Sequence, residues 1–121
     1  MRHNILNNIQ VILTDLDGTL IDTDQANNLA YRKAIDSYMP YMEVPVVKRI
    51  TKEVIDKYCT NEVLAEKIQK EKSGYNSQFL DYTYLNKELI NFLISNKNTT
   101  KVCLVTKASP ERVIQLLDHH N

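Results

Sequence analysis

VILTDLDGTLID, Val11 to Asp22, decides how this chain is read. A short apolar run rich in branched residues stops at two aspartates spaced two apart, followed at once by glycine and threonine. Carboxylates are costly in a dry interior unless paired, hydrogen-bonded or bound to metal. Residues i and i+2 of an extended segment point to the same side, so Asp15 and Asp17 can face one ligand together. Two carboxylates held close repel unless a cation joins them. A hard cation such as Mg²⁺ takes one or two carboxylates plus phosphate oxygens and waters. One carboxylate can attack phosphorus, and the other can give a proton to the leaving group and then take one from water. Gly18 is one of only two glycines in the chain. Its place beside the aspartates points to a sharp turn close to a ligand.

Outward from this stretch, Ile9 to Leu13 predicts a strand covered on both faces, as in a parallel sheet. Helical spacing begins after Asp22, with Leu29, Ala30, Ala34, Ile35 and Tyr38 on one stripe, Asp22, Thr23 or Asp24 as cap and Pro40 as the stop. Pro45 suits the first turn of a second helix carrying Val47, Ile50, Val54 and Tyr58. Thr60 or Asn61 caps a third, with Val63, Leu64 and Ile68, and Gly74 ends it. Residues 75–82 read as a loop. A fourth helix carries Leu85, Leu89, Phe92 and Leu93 and ends near Asn96-Lys97-Asn98.

Val102 to Val105 predicts a second strand, ending at Thr106. Ser109-Pro110-Glu111 then starts a helix with a capping hydroxyl, a first-turn proline and an acid at the positive end of the dipole. Val113, Leu116 and Leu117 form its inner face. Strand–helix–strand order implies a parallel pair with a right-handed crossover. Three helices directly after the first strand exceed what a crossover needs and read as an inserted helical module. In open α/β sheets ligands sit at the carboxyl ends of the strands. If the two strands are neighbours, Asp15, Asp17 and Thr106 share one crevice, where the Thr106 hydroxyl and nearby backbone N–H groups suit a phosphate oxygen.

The 121 residues suffice for one domain with a core; 43% are hydrophobic, 25% charged, and the formal net charge is zero. That balance points away from nucleic acid and anionic membranes as partners. Two cysteines make no disulfide framework. Cys103, inside VCLV, reads as a buried thiol, which fits a reducing cytoplasm. No signal core or membrane-spanning run is evident.

Asp15-Leu16-Asp17-Gly18-Thr19-Leu20 resembles the first motif of the haloacid dehalogenase-like (HAD) hydrolases. Leu104-Val105-Thr106-Lys107 resembles their second. The helical module is similar to the cap of the phosphoglycolate phosphatase and β-phosphoglucomutase branch. The resemblance implies an α/β fold: a Rossmann-type parallel sheet (1–21 and 84–121) with an inserted helical cap (22–83), its core incomplete. It further implies Asp15 as nucleophile and Mg²⁺ ligand. Asp17 would be general acid/base and a ligand through its carbonyl. Thr106 would hold the phosphoryl group with the Lys107 N–H, and Thr19 would support the loop. The expected activity is Mg²⁺-dependent hydrolysis of a small phosphorylated metabolite, with the cap closing over the substrate. Asp17 favours phosphoryl transfer, because the dehalogenase branch usually lacks it.

The family's later lysine and acidic motifs have no match here. Only Lys107 to Asn121 follow Thr106, Lys107 is a poor stand-in, and Glu111 and Asp118 belong to a helix. The expectation is therefore an N-terminal part, inactive alone, completed by a missing C-terminal half, a partner chain or a swapped copy. The alternative is a non-catalytic binding or regulatory protein. A calcium loop counted from Asp15 fails, because glycine falls at position four and Ala26 at twelve. His119 and His120 read as solvated terminal residues and His3 has no partner nearby. Tyr75, Tyr82 and Tyr84 suit either a substrate entrance or packing.

Overall fold

The computed structural model describes residues 11–120. In chain order the elements are β1 (Val11–Thr14), β2 (Ile21–Asp22), α1 (Asp24–Tyr38), α2 (Lys52–Tyr58), α3 (Glu62–Tyr75), a 3-10 segment (Asn76–Tyr82), β3 (Tyr84–Leu85), α4 (Lys87–Ser95), β4 (Lys101–Leu104) and α5 (Pro110–His120). They form two compact units. One contains the chain up to Asp22 and from Tyr84 onward; the other is Thr23–Thr83.

In the α/β unit, β1 and β4 are parallel neighbours, with Val11 opposite Lys101 and Thr14 opposite Leu104. Their connection passes through α4, whose start is capped by Asn86, its side chain accepting from the Leu89 N–H at 3.2 Å. The first strand expected from Ile9 starts among residues outside those described, and so does His3. Antiparallel pairing of β2 with β3, Ile21 to Leu85 and Asp22 to Tyr84, was not foreseen. Leu85 therefore lies on a strand and not on the helix that follows. Cys103 is only partly buried, contrary to expectation; the buried thiol is Cys59.

The helical unit closes around Tyr31, Ala34 and Ile35 of α1, Ile55 of α2, Ala65 and Ile68 of α3, and Ile50 and Cys59 from the connections. Burying one such large side chain contributes roughly 1.5–3 kcal/mol. Pro45 does not start a helix. The chain is irregular until Thr51, whose hydroxyl accepts the Val54 N–H and caps α2. Side-chain amides of α1 take over the backbone polar groups of that irregular stretch. Asn27 donates to the Ile50 carbonyl at 2.8 Å. Asn28 donates to the Lys48 carbonyl at 3.0 Å and accepts the Ile50 N–H at 2.7 Å. Arg49 from the same stretch pairs with Asp24 at 2.9 Å and donates to the Thr23 hydroxyl at 3.0 Å.

Asn61 caps α3, accepting from the Val63 and Leu64 N–H groups. Gly74 does not end it: helix continues to Tyr75, and residues expected as a loop form the 3-10 segment, kinked at Phe79. Tyr58, expected on the inner stripe, is 40% exposed. No described helix is long and apolar enough to cross a membrane.

Candidate functional site at the strand ends

β1 stops at Thr14, and the chain turns at once. Leu16 is fully buried and takes the inward position between the aspartates. That leaves Asp15 exposed and Asp17 partly so. The Leu16 carbonyl gathers three N–H donors, from Thr19 at 3.3 Å and from Leu20 and Ile21 at 3.0 Å. Gly18 stands at φ +78° and donates its N–H to the Ile21 carbonyl at 2.8 Å. A left-handed residue other than glycine costs roughly 1–2 kcal/mol there. The loop is thus wound about one carbonyl and hinged on one glycine. The Asp15 carboxylate accepts the Leu16 N–H at 2.8 Å.

The second half of the site comes from β4. The Val105 N–H donates to the Thr14 carbonyl at 2.8 Å, so the ladder runs to the last residue before Asp15. Asp15 and Thr106 therefore leave the sheet from adjacent strand ends, Asp15 one residue past β1 and Thr106 two past β4. The Thr106 hydroxyl accepts the Ala108 N–H at 3.1 Å, which turns the chain toward α5. A hydroxyl accepting in this way still has its proton to donate. Lys107 is exposed. Ser109 then caps α5, accepting the Arg112 N–H at 3.2 Å.

Sequence reasoning missed Asn86. Its backbone N–H donates to the Leu20 carbonyl at 2.8 Å and its side chain to the Thr19 carbonyl at 3.1 Å. It braces the aspartate loop from the returning chain while also capping α4. The capping pattern was visible, but its grip on residues far away in sequence was not.

The other singled-out residues make contacts of their own. His119 and His120 stack edge to face at the end of α5, centroids 5.0 Å apart. Burial and the neighbouring His119 lower the His120 pKa. Tyr75 donates to Glu71 within the helical unit, and Phe79 and Tyr82 pack ring to ring. Glu111 and Asp118 are exposed on α5.

Asp15 and Asp17 carry carboxylate and carbonyl oxygens, hard donors of the kind that suit Mg²⁺. Among the described residues no group of three or more His, Cys, Asp or Glu side chains gathers as a metal cage.

No protein-family model matches the sequence, and no curated protein matches it. Solved structures do. A candidate phosphatase from Clostridium difficile aligns with 93% of this chain and 56% of its own, at 17% identity and TM-score 0.68. A candidate phosphoglycolate phosphatase from Lactobacillus plantarum aligns with 90% of this chain and 54% of its own, at 13% identity and TM-score 0.67. A HAD-superfamily hydrolase of subfamily IA from Geobacter sulfurreducens aligns with 92% and 60%, at 15% identity and TM-score 0.62. The chain has the HAD-like α/β fold of these structures with a partial core, and it spans little more than half of their length.

Proposed function

We propose that this chain carries the nucleophile half of a Mg²⁺-dependent phosphohydrolase acting on a small phosphorylated metabolite. The observation that supports this most is the parallel β1–β4 pair, which brings Asp15 and Thr106 out of adjacent strand ends. In the proposed reaction an Asp15 carboxylate oxygen bonds to phosphorus as the ester P–O bond breaks. Asp17 gives its proton to the departing alkoxide oxygen. Asp17 then takes a proton from water, whose oxygen attacks phosphorus. Inorganic phosphate leaves and the Asp15 carboxylate is restored. The Thr106 hydroxyl and the Lys107 N–H hold the phosphoryl oxygens in line. Bound at Asp15 and the Asp17 carbonyl, Mg²⁺ would supply charge neutralisation between carboxylate and phosphate.

The fold of the solved structures supports the class of reaction, and two of them being candidate phosphatases favours phosphate esters. The complete protein should hydrolyse p-nitrophenyl phosphate only with Mg²⁺ present, and Asp15→Asn should lower turnover by roughly 10³-fold or more. Phosphate binding without any Mg²⁺-dependent turnover would overturn this reading in favour of a binding or regulatory protein.

A further inference from the structure

Asn86 grips the aspartate loop through two successive peptide planes. Its Nδ2 donates to the Thr19 carbonyl at 3.1 Å, and its backbone N–H donates to the Leu20 carbonyl at 2.8 Å. The N–H groups across those same two peptide bonds belong to Leu20 and Ile21. Both donate to the Leu16 carbonyl at 3.0 Å. A peptide unit is planar and stiff, so a hold on its C=O fixes where its N–H points. Two short struts therefore run in parallel from Asn86 to one carbonyl oxygen.

That oxygen lies between the two aspartates. The Leu16 carbonyl shares its peptide bond with the Asp17 nitrogen, and the Leu16 N–H is accepted by the Asp15 carboxylate at 2.8 Å. Gly18 makes the turn possible at φ +78°, yet glycine has the widest choice of backbone angles and does not by itself hold one. The bonds from Thr19, Leu20 and Ile21 to Leu16, and from Gly18 to Ile21, close the loop on itself. Asn86 ties it to a segment 67 residues further along the chain.

We propose that Asn86 is a positioning residue for the reaction proposed above. By holding the Thr19 and Leu20 carbonyls it sets the spacing of Asp15 and Asp17, so that the attacking carboxylate and the proton donor meet one phosphate ester. This inference rests on the phosphohydrolase reading. Its consequence is selective. Attack and proton transfer need the loop in register, whereas holding the phosphoryl oxygens falls to Thr106 and Lys107, which follow the other strand. Loss of the brace lowers kcat and leaves KM nearly unchanged.

Asn86 also caps α4 by accepting the Leu89 N–H at 3.2 Å, so two substitutions separate the roles. Asn86→Asp keeps a capping acceptor of equal rank and removes the Nδ2 donor. Asn86→Gly removes the side chain at a small capping cost and adds no charge. Asn86 is exposed, so neither change opens a cavity in a core. In the complete protein at saturating Mg²⁺, both variants should lower kcat for p-nitrophenyl phosphate about tenfold while KM stays within about twofold. Amide hydrogen exchange of Leu20 and Ile21 should quicken in both, and that of Leu89 should stay unchanged in Asn86→Asp. An unchanged kcat in both variants overturns the proposal, as does a loss carried by KM. A fall in kcat confined to Asn86→Asp overturns it too, because the added charge then accounts for it. If the protein with Asn86 intact shows no Mg²⁺-dependent turnover, the function proposed above falls. Exchange at Leu20 and Ile21 then decides the brace by itself: quickened in the variants supports it, unchanged overturns it.

Discussion

The two units spend similar apolar sequence in opposite ways. In the helical unit Ile35, Ile55 and Ile68 are 3%, 0% and 0% exposed. In the α/β unit Leu13 and Val105 are 68% and 58% exposed, and α4 has no fully buried residue. The difference follows from where each element finds its neighbours. An amphipathic helix meets its partners a turn or two along the chain, so Thr23–Thr83 completes its own core. A parallel strand needs covering on two faces and two edges, which only distant segments supply. A single chain therefore contains one closed module and one open one.

The largest expected effect tests that contrast directly. Ile68→Ala should destabilise the helical unit by about 2–5 kcal/mol, read as a fall in the urea midpoint at unchanged slope. Leu13→Ala in the 121-residue chain should stay within about 0.5 kcal/mol. Equal costs for the two would break the comparison.

A smaller effect is expected at Asn27, which is 2% exposed. Asn27→Ala strips the buried Ile50 carbonyl of its donor and should cost about 1–3 kcal/mol. Asn27→Asp, which keeps the shape but removes the Nδ2 donor, should cost as much if the hydrogen bond matters rather than the volume. Next come the caps. Thr51→Ala and Ser109→Ala each remove one N-cap, worth about 1 kcal/mol. The Thr51 change should register in global unfolding of the closed unit. The Ser109 change should show mainly as faster hydrogen exchange in the first turn of α5, because less packing depends on that helix.

The smallest effect is a pH dependence. Tyr31 is 5% exposed and burial raises its pKa above the ordinary 10.0. The folded state thus holds this proton more tightly than the unfolded chain. That contribution is complete below pH 10.0 and is lost as pH rises through the folded-state value. Stability of the helical unit should fall on that alkaline limb. Tyr31→Phe should flatten the limb while costing a constant amount for the unpaired Gln69 oxygen, which now accepts from Tyr31 at 2.7 Å. An unchanged slope in Tyr31→Phe would assign the alkaline loss to other groups.

Local chemistry was legible where one residue dictates its own backbone. Gly18 beside the aspartates announced a turn, and it adopts φ +78°. Ser109-Pro110 announced a helix start, and Ser109 caps α5. Pro45 misled for a reason of the same kind reversed. Proline is compatible with a first helical turn, yet nothing nearby caps one, while Thr51 caps the turn that forms. Val47 and Ile50 keep helical spacing but are held in an irregular stretch by Asn27 and Asn28, about twenty residues earlier. The β2–β3 pair is two residues on each side, too short for a periodic signal, and its partners are separated by the whole helical unit.

The sequence by itself determined the α/β class, the turn after β1, the capped starts of α3 and α5, and the placing of Asp15, Asp17 and Thr106 at the ends of apolar runs. These follow from backbone preferences and side-chain periods that act over a few residues. Only the tertiary structure decided that β1 and β4 are parallel neighbours and that Asn86 reaches back to the Asp15–Asp17 loop. It also decided that amides of α1 replace a helix at Pro45 and that one unit closes while the other stays open. Each of these depends on contacts between residues remote in the chain, whose energies no local pattern encodes.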